Sequence, residues 1–279
     1  MRNMVLGAAL SLAVCFQIWG VNAAHAGTAE QNVTISGTSS SGSNGNEVLN
    51  NQVPTLMPTI QQGSAPLGPV KWKRVAGTAY DIGVGADGTA WVVGKNNTIW
   101  RMTFGSWNKI NGYASAISVD PQGNAWVITR NGAINRFDGK KWVKVPGIAY
   151  DLDVGADGTA WHVGTNNSIW RMVNGSWKRI AGSATKIAVG PDGNAWVIDP
   201  KGGIFRYDGK GWQRVQGKAY DIGVSANGTV WHIGNGNTIY RMKTDSNWEH
   251  IRGSAAVIAG ANGPKAWVIN SAHEIFAQE

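Results

Sequence analysis

Cysteine is nearly absent from this 279-residue chain: the single copy, Cys15, sits inside an apolar N-terminal run. Once that run is removed, the rest has neither disulfides nor thiol chemistry, and its stability has to come from packing. Acidic residues are also few, 17 against 25 lysines and arginines, for a formal net charge of +8. That balance favours anionic partners at long range, such as acidic or phosphorylated glycans, lipopolysaccharide or nucleic acid, and identifies none of them. After the N-terminal run no stretch approaches the roughly 18 continuous apolar residues of a membrane span, so no transmembrane segment is expected once the signal is removed. Catalytic signatures are missing too. No Ser-His-Asp spacing, zinc-binding motif, phosphate loop or close carboxylate pair stands out, and the expectation is a non-enzymatic chain with no cofactor and no metal.

Arg2, an apolar run from Met4 to Ile18, and the small-residue pattern Ala24, His25, Ala26 read as an export signal over residues 1–26. The expected destination is secreted or periplasmic. A lipoprotein reading would use Cys15 behind Leu12, Ala13 and Val14, but Val14 is a poor residue there. Cleavage after Ala26 removes Arg2 and no acid, taking the charge from +8 to +7. Residues 27–69 are rich in Ser, Gly, Asn, Gln and Thr, with Glu30 and Glu47 but no Lys or Arg. Such a segment buries too little apolar surface to offset the entropy of ordering, and reads as a flexible low-complexity leader.

What the chain has in plenty is tryptophan, 15 residues, 12 of them in two columns. Trp72, Trp107, Trp142, Trp177, Trp212 and Trp248 recur at spacings of 35, 35, 35, 35 and 36, and each is followed 19 residues later by Trp91, Trp126, Trp161, Trp196, Trp231 or Trp267. Residues 70–279 are therefore six copies of one unit. In the first copy, Trp72 to Val75, Ala79 to Val84, Ala90 to Val93 and Thr98 to Met102 are short, β-rich and bounded by Gly, Asn or Asp, the signature of a four-stranded meander. Asp87-Gly88, Asp157-Gly158, Asp192-Gly193 and Asn227-Gly228 supply the positive φ of tight hairpins. Six small sheets, apolar on both faces, bury those faces by stacking in a ring, so the expected fold is all-β, a six-bladed β-propeller of four-stranded antiparallel blades. In that phase Trp72 to Val75 joins the last-copy strand Glu274 to Ala277 as its outer neighbour.

The segments Trp-Lys-Arg-Val-Ala-Gly, Ile-Gly-Val-Gly-Ala-Asp-Gly-Thr-Ala-Trp and Ile-Trp-Arg resemble the tectonin repeat from Lys71 to the C-terminus. The resemblance implies a six-bladed propeller of the tectonin and fish-egg lectin type, whose members bind glycans and bacterial surface lipopolysaccharide. The sixth copy departs from the pattern, with Asn262-Gly263-Pro264 shifted in its turn and Ala277 where other copies have Arg.

Copies one, three and five resemble each other more than two, four and six. The odd copies alone carry Tyr80-Asp81, Tyr150-Asp151 and Tyr220-Asp221, then Asn97, Asn167 and Asn237, then Trp100, Trp170 and Tyr240. Asp and Asn hydrogen-bond sugar hydroxyls while aromatic rings cover the apolar C–H face, so these twelve are the candidate ligand-binding residues. The plainer alternatives are that the rings are core, that the asparagines serve turn geometry, and that Asp81, Asp151 and Asp221 line a central channel. Arg101, Arg136, Arg171, Arg206 and Arg241 are expected to stack on tryptophan, or else to meet phosphate or carboxylate. His162 and His232 stand two copies apart, too far to share a metal. The function expected is a lectin-like, multivalent carbohydrate-binding protein for surface glycans or lipopolysaccharide, with no nucleic acid partner. The rival is an interaction scaffold for envelope proteins, and a hydrolase or lyase ranks third.

Overall fold

The computed structural model describes residues 69–243 and 247–279. The expected signal (1–26) and, but for Pro69, the leader (27–69) lie outside the described residues. Among the described residues no helix is long and apolar enough to cross a membrane.

The described chain forms antiparallel strands in meanders. The first copy gives β1 (Trp72–Thr78), β2 (Asp81–Val84), β3 (Ala90–Val93) and β4 (Thr98–Thr103), and β5 (Ser106–Tyr113) opens the second. Next come β6 (Ala116–Val119), β7 (Ala125–Ile128), β8 (Ala133–Phe137), β9 (Trp142–Val154), β10 (Ala160–Gly164), β11 (Ile169–Val173) and β12 (Ser176–Ile180). They are followed by β13 (Lys186–Val189), β14 (Ala195–Ile198), β15 (Gly203–Tyr207) and β16 (Trp212–Lys218). The last are β17 (Asp221–Val224), β18 (Val230–Ile233), β19 (Thr238–Met242), β20 (Trp248–Ser254), β21 (Val257–Gly260), β22 (Ala266–Ile269) and β23 (Glu274–Gln278).

Sheets β2 to β5, β13 to β16 and β17 to β20 each run in sequence order. Strands β6 to β12 form one seven-stranded sheet because β9 continues without a break from the end of one meander into the start of the next. The remaining sheet has the order β21-β22-β23-β1, so the first described strand completes the last sheet, with Trp72 opposite Gln278 and Val75 opposite Ile275. This is the pairing expected from the phase of the repeat. The first-copy strands also stand where sequence puts them, except that β2 starts at Asp81 rather than Ala79. Ala79 instead donates its N–H to the His273 carbonyl (2.9 Å). The strands β2, β6, the second half of β9, β13, β17 and β21 neighbour one another in that order, and β21 neighbours β2; they are called the inner strands below.

The core lies in the seams between successive sheets. One seam contains Trp91, Ile99, Ala114, Ile117 and Val127, and its counterpart two copies later contains Trp161, Ile169, Ala184, Ile187 and Val197. The first tryptophan column holds the seams along their outer edge. Each indole donates Nε1–H to a carbonyl of the preceding copy: Trp107 to Ala76 (2.7 Å), Trp142 to Asn111, Trp177 to Pro146, Trp212 to Ala181 and Trp248 to Gln216 (2.6 Å each). Trp72 donates likewise to Arg252 (3.1 Å), linking the first copy to the last. The residue after each acceptor in these five copies is a glycine with φ between +103° and +128°, and a Cβ on Gly112 would stand 2.9 Å from the Trp142 Nε1. Only glycine gives both the left-handed turn and the room for the ring. Each bond contributes about 1 kcal/mol net.

Candidate functional site

The twelve residues singled out in the odd copies divide into three groups. Tyr80, Tyr150 and Tyr220 immediately precede the inner strands and are exposed at 50%, 67% and 65%. They are unusual on strands whose next residues are core. The Tyr220 hydroxyl lies 2.5 Å from Asn235 Oδ1, so in the fifth copy the entry to the second strand and the loop between third and fourth strands share one side, as the meander requires. Tyr80 packs on His273 with ring centroids 4.2 Å apart.

Asn97, Asn167 and Asn237 end one-turn helices at φ +62°, +57° and +61°. Their carbonyls accept the N–H of Ala114, Ala184 and Ala255 at 2.9 Å. In the even copies the same bond is made by Gly132, Gly202 and His273, also at positive φ. Left-handed backbone is thus needed six times over, and asparagine meets it at little cost. Asn97 adds an Nδ2–H bond to the Ala114 carbonyl (2.9 Å). Trp100 and Trp170 are half-buried and donate Nε1–H to the hydroxyls of Thr98 and Ser168 (2.9 Å each), while Tyr240 stacks on His232 (4.8 Å).

The aspartates face the other way, into a narrow cavity of about 80 Å³ lined by all six inner strands. Asp81 Oδ2 accepts the Ile117 N–H (2.8 Å), Asp151 Oδ2 that of Ile187 (2.7 Å) and Asp221 Oδ2 that of Ile258 (2.8 Å). Each thereby ties an odd inner strand to the next even one. Lys186 stands among them, its Nζ 3.4 Å from Asp221 Oδ1 and 3.7 Å from Asp151 Oδ1. One layer further along, Asp153 accepts the Ser118 hydroxyl (2.6 Å) and the Val189 N–H (2.7 Å). Burial pushes the Asp81 carboxyl up to about 7 and those of Asp151 and Asp153 up to about 6. The carboxylates of Asp151 and Asp221 in turn hold the Lys186 ammonium above its usual range.

The five recurrent arginines lie over the second tryptophan of their own copy. Arg101 and Arg171 stand 5.3 Å above Trp91 and Trp161, Arg136 5.9 Å above Trp126, Arg206 5.8 Å above Trp196 and Arg241 5.6 Å above Trp231. The stacking role expected from sequence is the one observed.

The tryptophan columns, their arginine caps and the fourfold meander coincide with a family model for the Tectonin domain, which matches residues 49–134 and 113–279. The chain belongs to the tectonin family. No curated protein matches it. Among solved structures this tectonin is similar to YCF48 bound to D1 peptide, at 17% identity over 77% of this chain and 96% of that one, TM-score 0.52. It is also similar to XC5397 from Xanthomonas campestris, described as a gluconolactonase, at 15% identity over 76% and 90%, TM-score 0.59. The WD40 β-propeller domain of Doa1 matches at 13% identity over 71% and 78%, TM-score 0.55. At such identities the likeness concerns the fold alone, and that fold is the β-propeller.

Within this tectonin, Lys186, Asp153 and Ser118 are not among the residues that the repeat pattern singles out. The structure brings these three to one cavity. The available signal was columnar: Lys186 aligns with Ala116 and Val257, and Asp153 with Gly83 and Gly223. The departure of the sixth copy has a local consequence. Trp91 and Trp161 donate Nε1–H to Gly123 and Gly193 (3.0 Å each), whereas Trp231 turns to the Ser225 hydroxyl (3.0 Å), itself bonded to the Lys265 carbonyl (2.6 Å). His162 and His232 are each 3% exposed, lie edge-on to Trp177 and Trp248 at 4.4 and 4.3 Å, and leave Nδ1 unpartnered. Burial pushes both imidazoles down to about 4. Among the described residues no group of three or more His, Cys, Asp or Glu is placed to hold a metal ion.

Proposed function

We propose that this tectonin is an exported, closed six-bladed propeller that binds carbohydrate, including lipopolysaccharide, on the face carrying the odd-copy tyrosines. The cyclic order of the inner strands, the β1–β23 pairing and the Trp72–Arg252 bond support closure. Because β9 serves two meanders, the five sheets read as six four-stranded blades.

The observation carrying the binding reading is the three equivalent tyrosines, half-exposed or more, beside polar asparagine loops. Exposed phenol rings supply flat surfaces for sugar C–H faces, and three modest sites on one rigid ring gain by avidity on a multivalent surface. The aspartates belong to the inner-strand network on this reading, so Tyr80, Tyr150, Tyr220 and the asparagine loops carry the contacts. The test is a glycan array and a lipopolysaccharide binding assay at low salt against a charge-scrambled control. Replacing all three tyrosines by serine is expected to abolish binding with the melting temperature unchanged; a null result on both surfaces with the parent chain overturns the proposal.

A second reading, an envelope-protein scaffold, draws on YCF48, which binds a peptide on a similar fold. Pull-down from envelope extract with competing sugar separates the two, because sugar releases a lectin's cargo and leaves a scaffold's bound. The acid and base groups around Lys186 raise the question of catalysis. Their cavity has room for a few water molecules but not a sugar ring, and each carboxylate is already held by a backbone N–H. These features support a non-enzymatic reading, which assays of the chain for lactone and glycoside hydrolysis test. Export is tested by N-terminal sequencing of the mature protein, expected to begin at Gly27.

A further inference from the structure

A second cavity, about 580 Å³, opens between β16 and the fifth-copy sheet. That is within the usual range for small-ligand sites of about 300–1,000 Å³. Its walls are aromatic: Tyr240 stacks on His232, and Trp248 lies edge-on to the same imidazole. Its rim is polar, with Lys218 and Gln216 on the β16 side and Asn235 and Asn247 on the other.

The equivalent places in the other odd copies are chemically different. Where the fifth copy has Gln216 and Lys218, the first has Ala76 and Thr78 and the third has Pro146 and Ile148. Where it has Tyr240, the others have the larger Trp100 and Trp170, whose indoles are tethered to Thr98 and Ser168. Three positions thus differ at one cavity: Gln216 adds an amide, Lys218 an ammonium, and Tyr240 is smaller than tryptophan. Among the described residues the side chains of Gln216, Lys218, Tyr240 and Asn247 make no hydrogen bond or salt bridge, although all four line it. A cavity with aromatic walls, unused amide and hydroxyl groups and one unpaired ammonium has the chemistry of a site for a sugar ring that carries a negative charge.

We propose that the fifth-copy cavity binds a monosaccharide unit bearing an anionic substituent, carboxylate or phosphate, with the ring against Tyr240 and Trp248 and the anion at Lys218. This rests on the carbohydrate-binding reading and narrows it: the three odd copies are inequivalent, and charge selection belongs to the fifth.

The test is calorimetric titration of the full chain with methyl glucuronoside, glucose 6-phosphate and methyl glucoside at low and high salt. Expected is a preference of about tenfold for either acidic sugar over the neutral one, corresponding to about 1.4 kcal/mol, shrinking as salt rises. The uronate and phosphate arms distinguish the two kinds of anion. Lys218→Thr, which installs the first-copy residue at an exposed position, is expected to erase the preference while leaving neutral-sugar binding intact. Tyr240→Trp, the residue of the first and third copies, is expected to fill the cavity and likewise erase the acidic-sugar preference, leaving any binding at the odd-copy tyrosines. Equal affinity for charged and neutral sugars, or an acidic-sugar preference that survives both substitutions, overturns the assignment. Should surface glycans bind while these monosaccharides do not, the cavity proposal fails and the lectin reading stands; silence in every arm sinks both.

Discussion

Lowering the pH should destabilise this tectonin through two buried imidazoles, by an amount the structure allows to be worked out. His162 and His232 titrate near 4 in the folded chain instead of near 6.5, because burial disfavours their charged form. The unfolded chain therefore binds more protons between those values, and stability is lost as the pH falls through this window. Between about pH 7.5 and 4.5 each imidazole costs about 2.5 kcal/mol, or about 5 kcal/mol for the pair. The inner-strand aspartates act with the opposite sign. Carboxyls raised to about 6 and 7 contribute stability below their unfolded value near 3.8 and lose it as the pH rises through the folded values. A melting curve of the parent chain alone thus mixes two trends. The sequence supplies the means of separating them: the first copy carries Val92 where the third and fifth carry histidine. In His162→Val/His232→Val the aspartate contribution is retained, so the difference between parent and variant isolates the histidines. Urea unfolding followed by tryptophan fluorescence at both pH values is expected to show the variant gaining about 5 kcal/mol relative to the parent on acidification, on top of any constant cost of the lost ring packing. Parallel stability curves would refute the claim that these rings are kept neutral by burial.

Lys186→Met leaves Asp151 and Asp221 without their cation, and should cost about 2 kcal/mol near pH 8, below the range for a fully buried pair because the lysine side chain is 38% exposed. Near pH 5, where Asp151 is largely protonated, the cost is expected to fall well below that, and chemical denaturation at both pH values checks it. Gly112→Ala combines φ +127° with a Cβ 2.9 Å from the Trp142 Nε1, whereas Gly139→Ala has φ +93° and nothing within 4 Å. Thermal melts should give a loss of about 2–3 kcal/mol for the first and about 1 kcal/mol for the second. Asn97→Gly, matching Gly132 and Gly202, is expected to cost at most about 1 kcal/mol for the lost Nδ2 bond, while Asn97→Val at the same positive φ costs about 2 kcal/mol or more. Equal losses in the two variants would show that turn geometry is not what asparagine supplies.

The fold was legible because its constraints are local and repeated. A tryptophan over a left-handed glycine recurs at one spacing, and Asp-Gly turns and β-branched runs give the meander directly. The partnership of β1 with β23 followed from the phase at which the repeat begins and ends. The site was less legible, for a physical reason. Tyr80 and Asp81 are neighbours in sequence, but successive residues on a strand point to opposite sides, so one is exposed while the other enters the inner-strand cavity. The asparagines have two sufficient explanations in sequence, sugar contact and positive φ; the even copies, with glycine or histidine making the same backbone bond, exposed the second. Lys186 is a single event among six copies. A reading tuned to what recurs discounts such a residue, although a lone base in the column that holds Asp81, Asp151 and Asp221, with Ala116 and Val257 in the other even copies, is conspicuous once aligned.

The seam joining β1 to β23 bears on how this protein is made. Trp72 cannot find Gln278, nor its indole the Arg252 carbonyl, until some two hundred intervening residues have been synthesised. Local hairpins can assemble early, but the last sheet waits for its outermost member, and contacts so remote in sequence are slow to form. Until β23 is made, β1 has no partner, so the outer edge of that sheet stays open while the intervening copies fold.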